Sequence, residues 1–527
     1  MEKRVIIAIA LSILIIVGFQ YFIVKPTPPA AIPAQKEMAA PQAEAKSSLY
    51  TPPANLPEER TQEIQTDKYI VTFSNIGGTI KDIKLKDYKA LGSIEPFGLT
   101  TILNPKEYIF SVSDAVNGEE LALSEYDVSI GEDAVTCTRA TKNFEIKKKY
   151  LFRKSTNSIE LEIFVKNISG DSKEFAYSIV TGAGITEKAA QDRGNIEVVT
   201  KIGEKIEKFK RPKKGERILN LGPVSWEALK NKYFSLIIRP FAQTRGGFYA
   251  EDSAGNLVSG IDAEKTTIQP GATLEHKYSL YAGPSSIPAL KAFGYGAEES
   301  VNYGIFGVIS KFLITVLKMF YFLFHNWGVA IILLSVFLNI ILFPLTAKSF
   351  KSMQKMQELH PQMEKLKTLH KNDPQKLNKE IMELYKKYNI NPLSGCLPIL
   401  LQMPIFIALY QALMKSIELR NASFLWIRDL SSPEAIPLPV SFPIIGNSIN
   451  ILPLVMVGAM VMQQKMSTKS MGAAVSDEQK QQQKMMLIIM PIMFGFIFYG
   501  MPSGLVLYWV VNTVLTIVEQ AAVLKKE

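Results

Sequence analysis

The chain has 527 residues, a net charge of +10 and a hydrophobic content of 47%, which is enough for two or three domains. Its two cysteines, Cys137 and Cys396, stand in segments of different character, and its four histidines form no cluster with them, so composition argues against an internal disulfide, a zinc or haem site and any cofactor. All of the 19 methionines except Met1 and Met38 lie from Met319 onward, which indicates a carboxy-terminal membrane part.

The first predicted element is a transmembrane anchor at residues 1–24. Lys3 and Arg4 precede an apolar run from Val5 to Val24, which matches the ~20 residues of a bilayer span and exceeds the ~7–15-residue core of a cleavable signal peptide. The positive residues place the amino terminus in the cytoplasm. A cleaved signal peptide is the alternative, although Lys25-Pro26-Thr27 stands where small cleavage-site residues are expected.

Residues 25–65 are rich in proline and alanine and are predicted to form an extended linker. After them, apolar and polar residues alternate, as in residues 69–73 before the turn Asn75-Ile76-Gly77-Gly78. Repeated segments of this kind without regularly interposed helices favour antiparallel strands. Residues 66–290 are therefore predicted to form an all-β sandwich domain.

Residues 291–326 are predicted to contain an interfacial amphipathic helix. Its apolar segment, residues 303–325, carries Lys311 and Lys318 seven residues apart, so both lysines fall on one helical face. A full membrane span is the competing interpretation, but the next apolar run begins at Trp327 and is the better span.

Further spans are predicted within residues 327–527. They are Trp327–Leu345, Cys396 to about Ile417, Asn447–Met462, Met485–Tyr499 and Ser503 to about Val523, so that five spans follow the anchor. The loops 347–390 and 465–484 are rich in lysine and should be cytoplasmic. This count of crossings places both termini in the cytoplasm and the β domain on the opposite side of the membrane.

The loop 347–390 is predicted to form a cytoplasmic helical hairpin, with a kink at Pro361 and a second helix that starts at Asp373-Pro374. The apolar stripes of the two helices include Met353, Met356, Met363, Leu377, Ile381 and Tyr385. These side chains either pack on one another or also contact incoming chains or targeting factors, since methionines adapt to varied apolar partners. The lysines favour anionic lipid or ribosomal RNA nearby.

The predicted spans carry mild polarity and no carboxylate in mid-membrane, because Glu418 and Glu519 fall near helix ends. This pattern argues against ion-coupled transport, and the absence of a Ser/His or His/Glu pair predicts no catalytic residue and no small-molecule substrate. Ser335 and Asn339 are four residues apart and share one helical face. Such polar residues either hold helices together or line a wet groove.

Several motifs resemble those of the YidC family of membrane protein insertases. They are Asn326-Trp327-Gly328, Phe343-Pro344-Leu345-Thr346, Asn391-Pro392-Leu393 with Gly395-Cys396, Gln402-Met403-Pro404-Ile405-Phe406 and Pro502-Ser503-Gly504-Leu505-Val506-Leu507-Tyr508. The resemblance implies a multi-pass protein of the bacterial inner membrane, with a periplasmic β-supersandwich and a five-helix transmembrane insertase core. It implies that the chain inserts and helps to fold inner-membrane proteins, alone or with the Sec translocon.

The resemblance also implies a hydrophilic groove that is open to cytoplasm and lipid. Its lining would be Ser335, Asn339, Gln402, Tyr508, Trp509 and Thr513, and the slide that contacts the emerging segment would be Cys396, Met403, Pro404 and Phe406. The family usually has an arginine where this sequence has Asn339, so a neutral lining is expected. The implied partners are nascent membrane proteins, with the Sec translocon, the ribosome, signal recognition components and anionic lipids as further ones.

A rival hypothesis is a membrane-anchored carbohydrate-binding or envelope-scaffold protein, because supersandwich domains resemble those of sugar-handling proteins. That function would not explain the polar residues in the predicted spans or the lysine-rich hairpin.

Overall fold

The computed structural model describes residues 56–525, except 90–93, 101, 103, 115–116, 118–119, 132–133, 153–156, 186–195, 210–211, 214–215, 252–254, 371–372, 389–396, 443–445 and 470–476. The predicted anchor at residues 1–24 and the predicted linker up to residue 55 lie outside the described residues.

The amino-terminal part of the described chain is built from strands. They are β1 (Thr61–Gln65), β2 (Tyr69–Ser74), β3 (Thr79–Lys89), β4 (Pro96–Gly98), β5 (Val112–Asp114), β6 (Asp127–Ile130), β7 (Ala134–Ala140), β8 (Phe144–Phe152), β9 (Ser158–Asn167), β10 (Lys173–Phe175), β11 (Tyr177–Ala183), β12 (Glu197–Ile202), β13 (Lys205–Phe209), β14 (Arg217–Leu221), β15 (Val224–Lys230), β16 (Phe234–Pro240), β17 (Thr244–Glu251), β18 (Leu257–Ala263), β19 (Thr266–Ile268) and β20 (Thr273–Pro284). We call this part the β domain.

The strands of the β domain form two large sheets and smaller ones. Nine strands form a sheet in the order β13-β12-β15-β16-β20-β9-β8-β7-β6, five form a sheet in the order β14-β17-β18-β11-β5, and β1 to β4 form a third. Neighbouring strands run antiparallel. The β-rich fold predicted for this region is therefore confirmed.

The alternation that predicted strands is clearest in β9. Ile159, Leu161, Ile163 and Val165 are each at most 2% exposed and belong to one apolar core of the β domain. Since β9 pairs with β8 on one side and β20 on the other, its backbone groups are satisfied while one face packs inward. Burying each such side chain contributes about 1.5–3 kcal/mol.

The β domain begins earlier than predicted. Strand β1 lies inside the segment assigned to the linker, and it pairs along its whole length with β2. Only Ile64 is apolar among its five residues, so the strand carries almost no alternation signal. Backbone hydrogen bonds to β2, at the edge of the sheet, therefore hold β1 in place.

A buried lysine joins the turn after β2 to the core. Lys148, on β8, is fully buried, and its Nζ donates to the carbonyl oxygens of Gly77 at 2.7 Å and Phe110 at 2.9 Å. The Nζ also lies 5.4 Å from the centroid of the Tyr126 ring. Burial lowers the pKa of Lys148 from 10.5 to about 7, because the charged form is poorly solvated there.

We expect Lys148 to make the stability of the β domain rise with pH. Between about pH 7 and 10.5 the unfolded chain keeps the lysine proton that the folded chain has lost, so the free energy of unfolding increases across this interval. Below about pH 7 both states are protonated and the dependence ends. When the free energy of unfolding is measured with urea, its value for the wild type should rise with pH relative to its value for Lys148→Met.

The control for this measurement is Lys147→Met, because Lys147 is the exposed neighbour of Lys148 on β8. Its stability should run parallel to that of the wild type at every pH. Parallel curves for Lys148→Met as well would contradict the lowered pKa.

Helices make up most of the remaining described chain. They are α1 (Ile287–Phe293), α2 (Gly307–Phe324), α3 (Trp327–Glu358), α4 (His360–Leu369), α5 (Pro374–Lys387), α6 (Leu397–Lys415), α7 (Ile451–Lys469), α8 (Asp477–Tyr499) and α9 (Ser503–Lys525), with strands β21 (Ile436–Phe442) and β22 (Gly446–Ile449) before α7. Among the described residues, 307–324, 327–356 and 503–523 are long and apolar enough to cross a membrane by length and composition, and 451–466 and 487–499 are shorter apolar stretches. The interfacial position of α2 stays a prediction.

Several helix boundaries differ from the predicted ones. Helix α3 is continuous from the predicted span into the predicted hairpin. The expected kink at Pro361 is a helix boundary instead, because α4 begins at His360 and holds Pro361 in its first turn, where a missing N–H is tolerated. Helix α7 begins at Ile451 rather than at Asn447, because residues 446–449 form β22.

Residues 416–435, here called the docking loop, connect α6 to β21 and contact the β domain. Ile417 is 7% exposed and belongs to the β-domain core. The guanidinium of Arg420 lies 4.4 Å from the centroid of the Phe97 ring, and its Nη1 donates to the Lys89 carbonyl at 2.9 Å. The helices and the β domain are therefore joined by apolar and polar contacts.

Candidate functional site

Polar side chains of α3 and α9 meet between the two helices. The Nδ2 of Asn339 donates to Oδ1 of Asn512 at 2.9 Å and to the carbonyl oxygen of Ser335 at 2.8 Å. Ser335 is fully buried, and its hydroxyl donates to the Ile331 carbonyl at 2.8 Å. We call the contact between Asn339 and Asn512 the Asn rung.

A second polar contact joins the same helices seven residues further on. The hydroxyl of Thr346 donates to Oε2 of Glu519 at 3.3 Å, and we call this contact the Glu rung. Thr346 follows Asn339 by seven residues, as Glu519 follows Asn512. Since the two spacings are equal, α3 and α9 run parallel here, and the two rungs are about 10 Å apart along the helix axes.

Helix α6 adds a third polar contact to α9. The Nε2 of Gln402 donates to the hydroxyl of Tyr508 at 2.5 Å. Tyr508 is fully buried, whereas Gln402 is half-buried. Tyr508 precedes Asn512 by four residues and so lies on the same face of α9. Together, α3, α6 and α9 carry a row of hydrogen-bonding groups, which we call the polar face.

Trp509 packs among aromatic rings rather than in the polar row. Its centroid lies 4.9 Å from that of Phe406, 5.7 Å from that of Phe494 and 5.0 Å from that of Phe498. The hydroxyl of Thr513 donates back to the Trp509 carbonyl at 2.8 Å. The structure thus places the predicted groove residue Trp509 against the predicted slide residue Phe406.

The other predicted slide residues lie on or before α6. Met403 is 44% exposed and directly follows Gln402, so polar and apolar groups adjoin there. Pro404 lies inside α6. Cys396 lies outside the described residues.

Comparison with known proteins identifies the family. The family model of the YidC periplasmic domain matches residues 61–316, and that of the 60Kd inner membrane protein matches residues 319–527. The chain is 33% identical to the membrane protein insertase YidC of Geotalea daltonii, with 100% of this chain and 99% of that protein covered. The chain belongs to the YidC family of membrane protein insertases.

A second YidC relative is the membrane protein insertase YidC of Pelobacter propionicus, which is 34% identical over 99% of this chain and 98% of that protein. A crystal structure described as an active YidC insertase with its first transmembrane domain resolved covers 88% of this chain and 92% of its own, at 18% identity and a TM-score of 0.37. Family membership therefore rests on the sequence matches. It confirms the prediction that the chain is not an enzyme.

The hairpin helices of this YidC-family chain form a small core of their own. Leu359 and Tyr385 are buried at its centre, and the surrounding side chains are Met356, Met363, Ile381 and Leu384. The Tyr385 hydroxyl donates to Sδ of Met363 at 3.5 Å. The predicted residues Met353 and Leu377 are half-buried outside this cluster. Mutual packing thus accounts for four of the six predicted hairpin residues, and Leu359 joins them without having been predicted.

Three of the four residues in the rungs, Thr346, Asn512 and Glu519, were not predicted as site residues. A single asparagine in an apolar helix gives a weak signal, and Glu519 stands close to a helix end. The sequence feature that could have found them is the seven-residue spacing between polar residues, which α3 and α9 share. Residues one heptad apart lie on one helical face. That spacing pairs the two helices in the register seen in the structure.

Proposed function

We propose that this chain inserts membrane proteins by receiving a hydrophilic tail at the polar face and releasing the following apolar segment beside α6. A polar group without a partner in hydrocarbon costs several kcal/mol. Amide and hydroxyl groups on α3, α6 and α9 hydrogen-bond to one another and can exchange these bonds for bonds to a tail, so they lower the barrier that the tail meets. The observation that carries this proposal is the Asn rung beside the Gln402–Tyr508 contact, in a chain of the insertase family.

The apolar exit would lie next to the polar face. Met403 is exposed one residue after Gln402, and Phe406 lies one helical turn further along α6. A hydrophobic segment that leaves the polar face would meet these side chains before lipid. Methionine suits this role because its side chain adapts to different apolar partners.

We further propose a topology in which α3 and α6 to α9 are five spans of the bacterial inner membrane, with α2 at the interface. Both termini and the hairpin would be cytoplasmic and the β domain periplasmic, which the lysines of residues 347–390 and 465–484 support. The exposed lysines of the hairpin would contact anionic lipid, the ribosome or signal recognition components. The Sec translocon is a further proposed partner.

Insertion into liposomes tests the proposed function. Purified full-length protein should increase protease-protected insertion of a small double-spanning substrate over protein-free liposomes of equal lipid content. Asn339→Leu combined with Gln402→Leu should lower the rate on the order of tenfold, because losing these partners raises the barrier by about 1.4 kcal/mol.

The matched control is Ile340→Leu, which alters the neighbouring side chain that is 67% exposed and should insert at the wild-type rate. Melting temperatures in detergent separate lost insertion from lost folding. Wild-type protein that adds nothing to insertion contradicts the function. A folded double variant that inserts at the wild-type rate contradicts only the role of the polar face.

A further inference from the structure

The Glu rung places a carboxyl group on the polar face. Oε2 of Glu519 accepts the hydroxyl of Thr346 at 3.3 Å, and no hydrogen bond to Oε1 is recorded among the described residues. Glu519 is half-buried, so its carboxylate remains within reach of a chain that occupies the polar face.

No positive charge stands on the faces of α3 and α9 that carry the two rungs, in the turns next to them. The positions three and four residues away from Asn339, Thr346, Asn512 and Glu519 are all apolar, aromatic or hydroxyl-bearing. The first lysine after Thr346 on α3 is the exposed Lys348, which stands about 200° around the helix from Thr346. It therefore points away from the Glu rung.

The Asn rung is neutral and already engaged. The Nδ2 of Asn339 donates to both Asn512 and Ser335, so both of its amide hydrogens have acceptors. This contact supplies no charge to offset the carboxylate one heptad away. Within the described parts of α3 and α9, Glu519 is therefore the one acidic or basic side chain on the faces that carry the two rungs.

We propose that Glu519 makes this chain discriminate against acidic tails, so that its preferred substrates carry neutral or basic tails. This inference rests on the proposed insertase function and names the substrate class of the same site. An ionised carboxylate repels an acidic tail and attracts a basic one, and the effect is stronger between apolar helices than in bulk water. The charge of the tail, rather than its exact sequence, is what the site distinguishes.

The test uses one double-spanning substrate with an acidic, a neutral or a basic tail. Insertion is measured with the full-length protein in zwitterionic vesicles without a membrane potential, because a potential acts on charged tails by itself. We expect the acidic tail to insert about threefold more slowly than the neutral tail. Glu519→Gln should bring the ratio of the two insertion rates close to one. Glu519→Asp and Thr346→Val both keep a carboxylate, so the ratio should stay at its wild-type value.

Ratios between tails are compared within each variant, so a partly unfolded sample does not change the result. Glu383→Gln, on an exposed position of α5, removes the same charge outside the polar face and should leave the ratio at its wild-type value. Combining Asn339→Arg with Glu519→Gln should reverse the preference, so that the acidic tail inserts faster than the neutral tail.

The outcomes separate the inference from the function on which it rests. If the wild type does not insert even the neutral tail above the protein-free level, the proposed function is overturned. If the neutral tail is inserted but all tails insert equally fast, the selectivity alone is overturned. A discrimination that persists in Glu519→Gln would also overturn the role of Glu519.

Discussion

Gly328→Val should lower the melting temperature of the detergent-solubilised protein by about 5 °C or more. Gly328 is buried in the first turn of α3, and a Cβ atom there would clash with Cγ, Cδ2 and Cβ of Phe424 in the docking loop. The ring, the loop or the start of α3 would have to move, and overpacking of this kind costs about 1–3 kcal/mol or more. Differential scanning fluorimetry measures the shift.

The matched control is Gly458→Val. Gly458 also lies in a helix, α7, but an added Cβ would meet no atom within 4 Å, so the melting temperature should change little. Phe424→Ala in the Gly328→Val background should recover part of the loss, because it removes the ring that the valine meets. Equal melting temperatures for the Gly328 and Gly458 variants would contradict the close approach of α3 and the docking loop.

Ile417→Asp should detach the docking loop from the β domain without unfolding either part. Ile417 is 7% exposed in the β-domain core, and an aspartate there would place an unpaired carboxylate among apolar side chains. A cost of about 3 kcal/mol corresponds to a roughly hundredfold larger open population. Hydrogen exchange of the amides of residues 416–424 should accelerate by about that factor.

Ile417→Val is the control, since it keeps an apolar side chain and should change exchange by less than about tenfold. Amides of β9, whose apolar residues lie in the same core, should exchange at the wild-type rate in both variants. If β9 also accelerates in Ile417→Asp, the loop and the β domain unfold together. Unchanged exchange in the loop would show that Ile417 does not hold it.

The alternation of apolar and polar residues was enough to predict strands of the β domain. The alternation in β9 needs no distant information, because each strand face is set by successive residues. Strand β1 could not be predicted in this way, since Ile64 is its single apolar residue and gives no alternating pattern. Its strand conformation comes from pairing with β2. The docking of Ile417 also has no local signal, because it depends on a core formed hundreds of residues earlier in the chain.

The same limit applies to the candidate site. The sequence placed Ser335 and Asn339 on one face of α3 and showed Gln402 and Tyr508 as polar residues within predicted spans, and the resemblance to a family assigned these residues to one groove. The partner of Asn339 could not be derived in this way, because Asn512 becomes relevant only when α9 is known to run parallel to α3. Trp509 was expected in the groove lining, yet its environment is set by rings from α6 and α8.

The length of α3 and the proline inside it affect how the two rungs can move. Its 32 residues make a rod about 48 Å long, which carries the Asn rung near its middle and reaches the hairpin at its end. Pro344 is the position where this rod lacks a backbone donor and bends most easily. Because Pro344 lies between Asn339 and Thr346, a bend at this position would displace Thr346 from Glu519 more than it displaces Asn339 from Asn512.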